Sequence, residues 1–74
     1  MTMHKLRDFL REAGAECASL LKDGYILRVH HYDIKEHMAY SKLKHCVNGN
    51  VITIYATHDG YQVYKNEHLI KTVT

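Results

Sequence analysis

Seven histidines and two cysteines are the side chains of this 74-residue chain best suited to hold a metal or to activate a nucleophile. A metal needs several of them converging on one ion, and spacings such as HxxxH or CxxC are the usual signature. Neither spacing occurs. His30 and His31 adjoin each other on an expected strand and so point to opposite faces, as do His45 and Cys46. His31 and His58 are expected on one face with Ala39 between them, about 10 Å apart, which is two strand spacings. No metal and no cofactor is expected. A Cys46–His pair would need a carboxylate to orient the base and donors to stabilise an oxyanion. No adjacent residue supplies either, and Cys17 falls on an apolar stripe. The chain is therefore expected not to be an enzyme.

Tyrosine, lysine and arginine are the remaining residues with chemistry to offer, and their value depends on the elements that carry them. Residues Met3–Lys22 place Met3, Leu6, Phe9, Leu10, Ala13, Cys17, Leu20 and Leu21 in one arc at 100° per residue, with the charged residues outside it. That predicts an amphipathic helix, capped at Thr2 and stopped at Gly24. A shorter helix ending at Gly14, with a strand over residues 16–22, would discard this arc.

Turn signals divide the rest. Asn48-Gly49 and Asp59-Gly60 are strong two-residue hairpin turns and Asn66-Glu67 is a weaker one. The expected strands are Tyr25–Tyr32, Met38–Val47, Asn50–His58, Tyr61–Lys65 and His68–Val73. Two-residue turns would set Cys46 opposite Val51, Leu43 opposite Ile54, Thr57 opposite Gln62 and Val63 opposite Ile70. A five-residue loop, Asp33–His37, would set Leu27 opposite Leu43; a four-residue loop would bury Arg28. The fold class is α+β: one N-terminal helix packed on one face of a five-stranded antiparallel meander, a single domain over residues 1–74.

One sheet face then carries Tyr25, Leu27, Val29, His31, Ala39, Ser41, Leu43, His45, Ile52, Ile54, Ala56, Tyr61, Val63 and Ile70, and the helix covers it. The other carries Ile26, Arg28, His30, Tyr32, Tyr40, Lys42, Lys44, Val51, Tyr55, Tyr64, Leu69 and Lys71, with no Asp or Glu. Arg28 is expected directly opposite Lys42, a like-charge pair that an anionic group would relieve. The candidate partner-binding residues are Arg28, Tyr32, Tyr40, Lys42, Lys44, Tyr55, Tyr64 and Lys71. Tyr, Met and Arg are enriched in protein interfaces. The expected partner is a protein with an acidic patch, or a second copy of the chain. Single-stranded nucleic acid is the alternative, with tyrosines stacking bases and lysines tracking phosphates. A net charge of +2 and the lack of an RNP-type segment argue against it.

The N-terminus MTMHKLRDFLREAG is charged, so neither a secretory signal nor a membrane span is expected. With that, free thiols and a cytoplasmic location are the simpler expectation. Small domains without motifs, cofactors or clefts act mostly by binding. Phage and mobile-element inhibitors, anti-CRISPR proteins among them, are one such class; size and missing motifs alone carry that expectation.

Overall fold

A computed structural model describes residues 2–33 and 35–74, with side chains within the helix described from Arg7 onward. Helix α1 spans Thr2–Lys22. Five strands follow: β1 (Tyr25–Asp33), β2 (Met38–His45), β3 (Val51–Thr57), β4 (Gly60–Lys65) and β5 (His68–Val73). They form one antiparallel sheet in sequence order, a meander. The fold is the expected α+β arrangement of one helix on one face of a five-stranded sheet. The helix runs through Gly14 without a break, so the strand reading of residues 16–22 is set aside. Thr2 begins the helix; its proposed capping side chain, and the arc positions Met3 and Leu6, lie outside the described side chains.

The core lies between α1 and the sheet. Leu43, Ile52, Ile54, Ala56, Tyr61 and Val63 are buried, with Ala13 from the helix among them. Phe9, Leu10, Cys17 and Leu20 pack against this cluster. The helix lies mainly over β3, where Ala56 offers almost no side chain to hold it off. At its end Gly24 has φ +98°, a left-handed conformation suited to glycine.

Two hairpins close differently from expectation. Leu43 pairs with Ile52, where Ile54 was expected, and Lys44 with Val51, where Cys46 was expected. The cause is His45. Its Nδ1 accepts from the backbone N–H groups of Val47 and Asn48, at 3.1 and 3.2 Å. Its Nε2 therefore carries the proton and donates to the Asp23 carbonyl at 2.9 Å. The ring organises a four-residue loop over positions 46–49 and ties it to the end of the helix. In β3–β4 the turn is His58-Asp59, because Thr57 pairs with Gly60. The Thr57 Oγ1 accepts from the Asp59 N–H at 3.2 Å. The Asn66-Glu67 turn forms as expected, with φ of 50° and 71°, the values of a type I′ hairpin.

The two outer strands each carry a bulge. In β1 the register slips between Leu27 and Val29, leaving Arg28 unopposed. In β5 it slips so that Val63 pairs with Lys71 and Tyr64 with Leu69, leaving Ile70 unopposed. A bulge adds one residue and so reverses which face the following residues occupy.

Candidate partner-binding face

On the side of the sheet away from the helix, four rings from four strands form a row. His31 in β1 contacts Tyr40 in β2, with centroids 5.7 Å apart. Tyr40 lies directly opposite Tyr55 in β3, at 5.5 Å and a 33° tilt. Tyr55 meets Tyr64 in β4 edge to face, at 5.8 Å and 84°. The Tyr64 hydroxyl donates to Gln62 Oε1 at 3.2 Å. Centroid separations of 4.5–7 Å with tilted or T-shaped geometry are the favourable ones for aromatic pairs. The rings hold one another in place without help from the core.

Lys42 flanks the row. It pairs with Thr53, which pairs in turn with Tyr64, and Lys42, Tyr55 and Tyr64 line one shallow depression. Arg28, Lys44 and Ile26 line another at the helix-end side of the same face. Ile26 and Leu69 are each 51% exposed and Val29 39%, so apolar surface lies beside the charges.

The β1 bulge corrects three expectations. Val29, not Arg28, stands opposite Lys42, so the direct like-charge pair does not form. His31 and Val29 join the open face. His30 and Tyr32 turn to the helix side, where Tyr32 stands opposite Ala39 and His30 Nδ1 bonds the buried Ser41 Oγ at 2.9 Å. Tyr32 thus does not belong with Tyr40, Tyr55 and Tyr64.

The β5 bulge corrects a fourth. Lys71 faces the helix, where its Nζ bonds Glu16 Oε2 at 2.9 Å and lies 5.7 Å from the Tyr61 ring centroid. Glu16 and Tyr61 both stabilise its charged form and raise its pKa above the ordinary lysine value. Ile70, expected in the core, is 57% exposed.

The face is also less free of acid than its strands suggest. Glu67 borders the depression by Lys42. Asp33 ends β1 opposite Met38, although its carboxylate is occupied in accepting from the Glu36 N–H at 3.1 Å. Of the eight candidate residues, Arg28, Tyr40, Lys42, Lys44, Tyr55 and Tyr64 share the open face. His31 and Val29 are the members that strand alternation missed; only the bulge puts them there.

Both cysteines are free, Cys46 exposed and Cys17 partly buried. Burial raises the Cys17 thiol above its ordinary value; the Ser41 hydroxyl partly offsets this, and the Glu16 carboxylate adds to it. Among the described residues no three His, Cys, Asp or Glu side chains come together to hold a metal, and no helix is long and apolar enough to cross a membrane. No protein-family model, curated protein or solved structure matches the chain.

Proposed function

We propose that the chain is a non-enzymatic binding protein that docks a protein partner on its open sheet face. The observation that carries this reading is the ring row His31–Tyr40–Tyr55–Tyr64, flanked by Lys42, Lys44 and Arg28 and left uncovered by the only helix among the described residues. Prepacked tyrosines lose little rotamer freedom on binding and supply large amphipathic contact area. The exposed Ile26, Val29 and Leu69 add apolar anchors, and the cations favour a partner with an acidic patch. The rings cover part of one another's surfaces, and their aliphatic neighbours cannot stack on bases. A protein surface suits this face better than single-stranded nucleic acid does. A stoichiometric inhibitor would use the face in this way.

The test immobilises the 74-residue chain and captures partners from extract of its native host, with and without nuclease treatment. Capture is expected with the native chain and with Lys71→Ala, which alters the other side of the sheet. It is expected to fail with Arg28→Glu combined with Lys42→Glu. Undiminished capture by a folded double variant would place the interface elsewhere. Loss of capture on nuclease treatment alone would instead favour nucleic acid.

A further inference from the structure

On the opposite side of the sheet, α1 leaves a cleft between its flank and β1. The helical wall is Ala13 and the stripe Leu10, Gly14, Cys17 and Leu21, the stripe spaced three and four residues apart. The floor is apolar: Leu43, Ile54 and Ala56 are almost fully buried. At the mouth Leu21 and Leu27 are about half exposed, at 50% and 45%. The cleft is open to solvent on one side and has a volume of about 260 Å³. The polar feature is the Ser41–His30 pair, with Cys17 beside it.

Gly14 is what keeps the wall open. Glycine is a poor helix former, and mid-helix it needs a reason. Among the described residues no neighbour supplies one, because a Cβ at Gly14 would meet nothing within 4 Å. Gly14 is exposed at the rim of the cleft, and a long side chain there, on the same stripe as Leu10 and Cys17, could fold over the opening. The missing side chain is a gap in the wall at mid-length.

Volume and polarity limit the occupant. A dry apolar cavity of about 150 Å³ accepts a benzene-sized molecule, so the larger space here suits one or two rings. Among the described residues no Asp, Glu, Lys or Arg lines the cleft, and a charged ligand would lose its hydration without a partner. A serine hydroxyl has one donor and two acceptor positions. His30 uses one of them, and at least one more can meet a ligand hydroxyl or carbonyl. We propose that this cleft binds a neutral one- or two-ring molecule carrying a single hydroxyl or carbonyl, with the ring between Gly14 and Leu27 and the polar group on Ser41.

Amide NMR titration of the 74-residue chain tests this, with 2-naphthol, naphthalene and 2-naphthalenesulfonate as probes. Expected are saturable shifts at Gly14, Cys17 and Ser41 with 2-naphthol, and none at Tyr64 or Leu69. Naphthalene binds about fivefold more weakly, the worth of one net hydrogen bond, and the sulfonate more weakly still. Ser41→Ala brings 2-naphthol to the level of naphthalene. Gly14→Leu, which improves helix propensity, stays folded and weakens every ring by about tenfold or more, because its side chain takes the ring's volume. The proposal is overturned by an absence of saturable shifts, by unchanged binding to Gly14→Leu, or by sedimentation showing a dimer that the probe dissociates, since a second copy would then be the occupant.

Discussion

A Cβ built on Gly60 would collide with the Val73 carbonyl oxygen, and the residue has φ +143°. Gly60→Ala must therefore push β5 away from β4. It is expected to destabilise the fold by at least about 2 kcal/mol, measurable by urea denaturation. Glu67 presents the opposite case. Its φ of 71° is left-handed, which costs a side-chain-bearing residue roughly 1 kcal/mol. Glu67→Gly should recover about that much and raise the melting temperature by about 4–8 °C. The cysteines differ in burial, and a thiol reagent should modify Cys46 well before Cys17. The raised Cys17 value also has a sign for stability. The unfolded chain loses its thiol proton first, so this contribution is intact below about pH 8.5 and fades as pH rises from there through the higher folded value. Cys17→Ala should remove that part of the alkaline decline in a pH series of melting temperatures.

At the scale of elements, the core depends on the β2–β3 pair beneath the helix. Leu43 is fully buried, and Leu43→Ala should cost about 2–5 kcal/mol in denaturant titration. The two bulges lie in the two edge strands. A bulge bends and twists its strand, which makes a poorer template for pairing with another chain. In β5 the same bulge turns Lys71 toward Glu16 and links the last strand to the helix. In β1 it delivers His31 to the ring row and His30 to Ser41. The β1 slip thus supplies residues to both sides of the sheet.

At the scale of the molecule, one sheet separates two unlike surfaces. Rings and cations occupy one side, and the helix with its apolar cleft occupies the other. Net charge is only +2, so attraction to a partner depends on where the cations are placed. Partner binding on the open face should weaken modestly with salt. Contact with phosphates would show a steep dependence, with a slope of about 0.7 per phosphate for a single strand. Affinity measured between 50 and 300 mM salt separates the two.

The residue types and their periodicities determined the helix past Gly14, five strands in sequence order, and a ring-bearing face with Tyr40, Tyr55, Tyr64, Lys42 and Lys44 together. Those positions were legible despite wrong hairpin registers. The β2–β3 and β3–β4 pairings differ from the expected ones by two residues, and a strand repeats its faces every two. Tyr32 and Lys71 were not legible, because each follows a bulge, and a slip of one residue exchanges faces. Nothing local marks Arg28 or Ile70 as unopposed; the helix and the neighbouring strands decide it by what they can bury. The cleft at Gly14 belongs to the same class. The sequence alone shows a glycine within an apolar stripe, and only the packing of α1 beside β1 makes the missing side chain a space.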